Sequence, residues 1–435
     1  MDAYYHSVML DKKKCVGCTN CLMRCPTEAI RIRGGRARIL DQRCIDCGEC
    51  IRACHHHAKI AVTNPLSAIN RYPYKIALPA PTLYGQFKRL SSVGAVVRGL
   101  RQMGFDEVYE VARGADMTTA AIRKRMGEAD CPKPLISSAC PAVVRLIQIR
   151  FPELIDNIVD VKSPMEIAAI DARRKFCAAN NVAPEDVGCF FITPCPAKMT
   201  AVRKPLGHAT SDVNGAISIM EIYGLLSGQI RKLSEVPNET EHETTALGVG
   251  WACSGGESMA TGAEDALAVD GIQNVIRVLE AIENNQLPEL KFFEGLACTG
   301  GCVGGPLVFE NEYIARNRIK KLVESMPKKT PDDAAVKSAV ENLGGDIYFE
   351  SNIQELKVLQ LDSDVRAALA KMNRVEEIRK RLPQLNCGSC GSPTCLALAE
   401  DIVEGYAHEM DCLFLLKDKV RQMAQQMIEL SDERL

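Results

Sequence analysis

Two runs of cysteine at identical spacing constrain this chain more than anything else in it. Cys15-x2-Cys18-x2-Cys21-x3-Cys25, followed by Pro26, is repeated as Cys44-x2-Cys47-x2-Cys50-x3-Cys54, followed by His55. Three thiols at that spacing face one cubane, and the fourth ligand comes from the other run. Cys15, Cys18, Cys21 and Cys54 are therefore expected to hold one [4Fe–4S] cluster, and Cys44, Cys47, Cys50 and Cys25 a second. Zinc usually takes two separated pairs rather than a doubled run. His55, His56 and His57 read as a solvated turn, not as ligands.

A third group, Cys387-x2-Cys390-x4-Cys395-x16-Cys412, lies near the other end. Gly388, Gly391 and Pro393 supply turns for a loop wrapped on a cubane, and a helix from about Leu396 returns the fourth thiol. Zinc is the minor alternative here. The chain carries 20 cysteines in 435 residues. A disulfide scaffold of that density would be short and secreted, so metal ligation is the expected use. The net charge of −2 points to no nucleic-acid or membrane-surface partner. The start, MDAYYHSVMLDKKKC, has no apolar signal core, and no run reaches the ~18 apolar residues of a membrane span. A cytoplasmic protein is expected.

The middle of the chain alternates short apolar strands with helices, the α/β pattern. Strands are expected at Lys75–Leu78, Glu107–Val111, Leu135–Ser138, Gly188–Thr193 and Ala246–Gly250, with shorter pieces at Ala29–Ile32 and Ile60–Val62. Residues 64–72 read as a linker. Ser163-Pro164-Met165-Glu166 has the form of a capping box at a helix start, and Thr330-Pro331-Asp332-Asp333 starts another helix. Three loops carry further cysteines: Ser137-Ser138-Ala139-Cys140-Pro141, Thr193-Pro194-Cys195-Pro196-Ala197-Lys198, and the glycine-rich stretch from Cys298 through Cys302 to Pro306. Two of them follow strands, where open α/β sheets place ligands. Four loop cysteines can hold one more cubane, with the glycines letting backbone approach a bulky inorganic group. The residues alone go no further.

In order and spacing, the three loops resemble the signature segments of [FeFe] hydrogenases. Pro79-Ala80-Pro81, Gly114-Ala115-Asp116-Met117-Thr118 and Val161-Lys162-Ser163-Pro164 extend the likeness over roughly residues 74–350. The resemblance implies an H-domain of two α/β lobes over residues 72–360. A bacterial ferredoxin-like α+β domain (1–63) would precede it. A helical linker (361–383), a small helical [4Fe–4S] domain (384–412) and a heptad-patterned helix (413–435) would follow. It implies an H-cluster whose cubane is held by Cys140, Cys195, Cys298 and Cys302, with Cys302 bridging to a diiron unit carrying CO, cyanide and azadithiolate. Lys198 and Thr82 fall where the family contacts the cyanides, and Ser163 where it keeps a relay serine. With three accessory [4Fe–4S] clusters, the implied partners are H2 and protons, a ferredoxin or other redox protein, and hydrogenase maturation proteins.

The departures from the family pattern lie on the proton side. Ala139 replaces the relay cysteine. The relay glutamates align near Ala121 and Ile122, and another with Ala201, while Thr193 and Leu296 replace flanking methionines. A complete cradle with a dismantled proton wire resembles the sensory-type members, slow hydrogen sensors. Two alternatives stand beside this reading. One is an electron-transfer or assembly-type homologue without the diiron unit. The other is a subunit of a larger complex, since the chain has no NAD or flavin fingerprint. Cys131, Cys177, Cys189 and Cys253 receive no role, and Trp251 reads as packing. Leu413, Leu416, Val420, Met423, Met427 and Leu430 form a short heptad seam, expected to serve a homodimer or a signalling partner.

Overall fold

The computed structural model describes residues 5–88, 90, 92–234, 244–326 and 334–432. The chain forms two compact units. One comprises residues 1–8, 45–48 and 61–356; the other comprises 9–44, 49–60 and 357–435.

The larger unit contains two parallel sheets. Its four-stranded sheet runs in the order Glu107–Val108, Tyr74–Pro79, Val187–Thr193, Gly215–Ser218. Every residue of Val187–Thr193 is buried, as expected of a central parallel strand covered on both faces. Its alternating side chains feed two cores. Phe190 and Ile192 join Ala77 and Ile217 on one face; Cys189 and Phe191 join Ile76, Leu78 and Ala216 on the other. Each buried phenylalanine contributes about 1.5–3 kcal/mol. The three-stranded sheet has Phe292–Leu296 at its centre, between Ala266–Asp270 and Leu135–Ile136. Gly295 is the fourth residue of this central strand.

The strand expected at Ala246–Gly250 is instead a helix. Thr245 caps it, accepting the Gly248 N–H on its hydroxyl at 3.0 Å. Asp116 in turn fixes Thr245, accepting its N–H at 3.0 Å. The helix at Pro164–Asn180 starts at Ser163 as expected, but the capping box does not form. Glu166 turns away to accept Ser211 Oγ and the Asp212 N–H, at 2.5 and 2.8 Å. Residues 64–72 are ordered too, as a short 3-10 helix over Leu66–Arg71. The helix start at 330–333 lies outside the described residues, and a helix runs over Ala334–Leu343.

The smaller unit brings the ends of the sequence together. The Ile30–Arg33 and Arg36–Ile39 hairpin packs beside the third cysteine group. The Ile32 N–H donates to Gly391 O at 2.8 Å. The Asp401 carboxylate accepts from Arg31 Nε at 2.6 Å, and from Arg33 Nη2 and Ser392 Oγ at 2.8 Å each. Helices Val365–Arg381 and Cys395–Val403 form the local core, with Val375, Ile378 and Leu398 packed around Cys395 and Cys412. The last helix spans Leu413–Asp432. Its seam is not packed on its own domain: Leu413, Leu416, Val420, Met423, Met427 and Leu430 are 41–71% exposed. Among the described residues, no helix is long and apolar enough to cross a membrane.

Candidate active site and metal centres

Each sheet of the larger unit sends two loops to one place. The Tyr74–Pro79 strand leads to Thr82 and the Val187–Thr193 strand to Cys195. Leu135–Ile136 leads to Cys140, and Phe292–Leu296 to Cys298 and Cys302. The site thus lies off the carboxyl ends of the strands. Cys140 and Cys195 are built alike. Each is the N-cap of a helix, Pro141–Arg150 and Pro196–Arg203, and each is followed by a proline whose missing N–H costs the first turn nothing. A thiolate at a helix start also meets the positive end of the helix dipole. The glycines of the third loop pack backbone on backbone. A Cβ on Gly301 (φ +94°) would lie 2.5 Å from Ser254 N, and one on Gly305 would lie 2.4 Å from Pro194 O. Gly305 thus seats the third loop against the second, and Gly301 seats it against residues 252–254.

Lys198 is half-buried and its Nζ lies 3.9 Å from Cys302 Sγ. Burial works against its charge, but Cys302, Cys195, Cys140 and Cys298 together raise its pKa above the ordinary lysine value. The four thiols and the ammonium therefore share one locus. Burial pushes the Cys195 thiol up to about 11, against the pull of Lys198, and raises Cys302 as well. Thiols so disfavoured as anions need a cationic metal centre to become thiolates.

Beside them is a pocket. Its wall is mostly apolar and includes Thr82, Ala139, Pro164, Lys198, Trp251 and Cys302. The Thr82 hydroxyl is buried with no hydrogen-bond partner. A donor without an acceptor, a buried ammonium and a cysteine sulfur on one cavity fit the family's diiron unit with its cyanide ligands. Ser163 stands at the start of the helix whose Pro164 and Met165 line this space, and its side chain caps nothing. Leu296 lines the cavity, whereas Thr193 is turned into its own loop, donating to Cys195 O at 2.9 Å. Ala121 and Ile122 are buried in an apolar core with Trp251, and Ala201 is buried in another.

Sequence reasoning missed three groups here. Trp251 is more than packing: it lines the cavity while its Nε1–H donates to Thr119 Oγ1 at 3.2 Å. Glu257 and Glu294 are carboxylates on the same wall. Glu294 is tied down, accepting from Gly255 N at 3.0 Å and from Ser258 N and Oγ at 2.8 Å each. Glu257 Oε2 accepts Ser137 Oγ at 2.6 Å, and its Oε1 is buried without a hydrogen-bond partner. Burial first, and the charge of Glu294 second, lift the Glu257 pKa well above the usual carboxylate range. Glu257 therefore holds a proton more tightly than an ordinary carboxylic acid. No spacing rule marked it, because its partners come from the 135–140 and 292–298 segments.

In the smaller unit Cys15, Cys18 and Cys54 surround Cys21. Burial raises the Cys21 pKa, Lys59 lowers it, and those three thiols raise it further. Lys59 is 2% exposed and its Nζ has no hydrogen-bond partner, as suits a buried ammonium beside a negatively charged cluster. Cys54 Sγ accepts the Ala58 N–H and Cys25 Sγ the Ala29 N–H, both at 3.2 Å, so the fourth cysteines of the two runs repeat one geometry. Cys44, Cys47 and Cys50 are buried. His55, His56 and His57 are exposed, as a solvated turn should be. Cys390 has its pKa raised by burial and then by Cys412 and Cys387, and it shares a core with Cys395 and Cys412. Cys189 is wholly buried among apolar residues and its thiol is pushed up to about 12, the behaviour of a core residue.

Comparison with known proteins agrees with this geometry. The family described as iron only hydrogenase large subunit, C-terminal domain, matches residues 74–267 and 257–306. A 4Fe-4S dicluster domain matches 7–55, and a putative Fe-S cluster family matches 382–414. Iron hydrogenase 1 of Clostridium pasteurianum is 22% identical over 376 residues, 70% of this chain and 65% of that protein. The chain therefore spans less than two thirds of that relative. Acetyl-CoA decarbonylase/synthase complex subunit gamma 1 of Methanosarcina thermophila is 45% identical over 49 residues, 11% of this chain and 10% of its own. A variant of the [FeFe]-hydrogenase HydA1 from Chlamydomonas reinhardtii has the same fold, with a TM-score of 0.52 at 16% identity over 66% of this chain and 95% of that one. With more than half of its length matched by the hydrogenase large-subunit domain, and a dicluster ferredoxin-like domain before it, the chain belongs to the [FeFe] hydrogenase family.

Proposed function

We propose that the chain is a slow, hydrogen-sensing member of the family. The carrying observation is the pairing of Ala139 with an otherwise complete cradle of Cys140, Cys195, Cys298, Cys302, Lys198 and Thr82. Bound there, the diiron group would supply reversible splitting of dihydrogen. The chain's own residues do the rest. The four cysteines hold the cubane, with Cys302 shared. Lys198 and Thr82 donate hydrogen bonds that orient the group. The apolar wall keeps water out, and the protonated Glu257 stores a proton where the usual relay residues are Ala139, Ala121, Ile122 and Ala201. The two ferredoxin-type cysteine runs would hold clusters able to carry electrons away, and the third cysteine group would hold one more cubane. The exposed seam of the last helix serves a second copy or a signalling partner, as a protein that reports its state requires.

The alternative, an electron-transfer or assembly-type protein that never takes up the diiron unit, leaves the buried Thr82 hydroxyl and the cavity without an occupant. Infrared spectroscopy of the matured protein separates the two, because CO and cyanide stretches report the diiron unit directly. Iron analysis should give about sixteen cubane irons before maturation and about two more after it. Full cubane occupancy without those bands would overturn the hydrogenase reading.

A further inference from the structure

A second cavity lies in the larger unit under the segment 349–356. That segment is strapped down at both ends. The N–H groups of Glu350 and Ser351 donate to Gly207 O, at 2.7 and 3.0 Å, and the Leu356 N–H donates to Gln148 O at 2.9 Å.

Three buried side chains on this wall have polar atoms without a hydrogen-bond partner: Arg145 Nη1, Gln148 Oε1 and both ring nitrogens of His208. The side chains of Arg145 and His208 are 2% and 4% exposed, and Gln148 is 6% exposed. Each is oriented by what its other atoms do. Gln148 Nε2 donates to Gln354 O at 2.7 Å, which leaves Oε1 as an acceptor in need of a donor. Arg145 Nη2 donates to Lys204 O at 3.1 Å, while Nη1 stands 3.6 Å from Asp46 Oδ2. His208 Nε2 is 3.8 Å from Glu166 Oε1, beyond a hydrogen bond, and Glu166 is already satisfied by Ser211 and Asp212. Lys204 lines the same space from the rim. Buried polar atoms ordinarily have hydrogen bonds, and atoms that lack them on one polar cavity mark a ligand's place, here with Arg145 also facing the Asp46 carboxylate and His208 that of Glu166.

We propose that this cavity binds a small oxyanion carrying a hydroxyl, of which hydrogen phosphate is the simplest. The guanidinium and the ring N–H of His208 donate to its oxygens, Lys204 adds charge at the mouth, and the hydroxyl donates to Gln148 Oε1. Sulfate has the oxygens but not the hydroxyl, so it leaves Gln148 unsatisfied. Water alone is the competing occupant.

The test is calorimetric titration of the cluster-loaded full chain with inorganic phosphate, methyl phosphate and sulfate, repeated with the variants Lys204→Gln and His208→Leu. Lys204 is exposed, so the first variant keeps its fold even where the second does not. The expected result is saturable phosphate binding that weakens about tenfold or more in either variant and for sulfate. Methyl phosphate, whose dianion has no hydroxyl at neutral pH, should weaken as sulfate does; its binding as tightly as phosphate overturns the role of the hydroxyl and Gln148. Absence of saturable phosphate binding overturns the proposal in favour of water, as does equal binding by the natural chain and Lys204→Gln. Sulfate binding as tightly as phosphate overturns the role of the hydroxyl and Gln148.

Discussion

Replacing Glu257 by glutamine isolates the proton chemistry of the cavity from everything else. The substitution keeps side-chain length and leaves an oxygen for the Ser137 hydroxyl, now held at 2.6 Å. What it removes is the acidic proton. The positions where the relay cysteine and glutamates are expected are alanine and isoleucine, and Glu294 is committed to three donors around residues 255–258. Glu257 is therefore the acid on this wall with an oxygen to spare. A lost acid–base group costs typically ~10²–10⁴-fold in rate. Hydrogen evolution from a chemical reductant, at matched infrared intensity of the diiron unit, should fall by about a hundredfold or more in Glu257→Gln. Protonation has its own readout. Because the folded pKa is raised, the folded chain keeps a proton that the unfolded chain releases above the ordinary carboxylate value. The natural protein then loses stability as pH rises out of the carboxylate range toward the folded pKa, and the glutamine variant does not share this loss. The stability advantage of the variant should grow from pH 4 to pH 7 in denaturant titrations. Turnover within twofold of the natural protein refutes the relay, and a stability difference flat in pH refutes the neutral acid.

Four further outcomes are expected. Asp401→Asn leaves Arg31 and Arg33 without their buried anion and should cost about 3–5 kcal/mol, with selective loss of iron from the third cysteine group in electron paramagnetic resonance; unchanged stability and a full signal would reject the role of this pairing. Lys198→Ala should impair retention of the diiron unit with the cubanes intact, and unchanged infrared bands would count against the contact. Val420→Glu with Met423→Glu, both on the exposed seam, should lower oligomer mass in light scattering without loss of iron, whereas equal monomeric masses would exclude self-association. Ala139→Cys should raise turnover only modestly, because the onward positions Ala121 and Ile122 stay apolar; restoration to the rate of a fast hydrogenase would contradict the need for a connected relay.

What the sequence made legible follows from the range of the forces involved. A cubane needs thiols a few residues apart, so Cys15, Cys18 and Cys21 announce themselves, as do Cys387, Cys390 and Cys395. The Cys-Pro helix starts at Cys140 and Cys195 are equally local. The all-buried strand at Val187–Thr193 was readable as a continuous apolar run. Ala246–Gly250 was not, because its helix is set by a threonine cap fastened to Asp116 more than a hundred residues earlier in the chain. Phe292–Leu296 was hidden by the glutamate in its middle. Glu294 looks wrong for a buried strand until the three donors of the 255–258 turn are placed on it. The pairing of the first hairpin with the third cysteine group rests on Arg31, Arg33 and Asp401, whose meeting no spacing records.

The same difference in range separates the two halves of the chemistry. Electron chemistry is fixed by ligands that must sit within a bond length of a metal, so the cradle either persists in the motif or is lost with it. Proton transfer needs only a titratable group within hydrogen-bond reach, and any element bordering the cavity can supply one. Alanine at position 139 removes the relay cysteine. It says nothing about Glu257, which hangs from Ser137, two residues before Ala139 itself. A chain of this family can therefore keep its motif, lose the relay cysteine and glutamates, and still hold a proton against the cavity. The height of the remaining barrier is then decided by how Glu257 exchanges with solvent rather than by whether an acid is present, and a slow, reversible reaction is what such a buried and strongly proton-retaining acid would give.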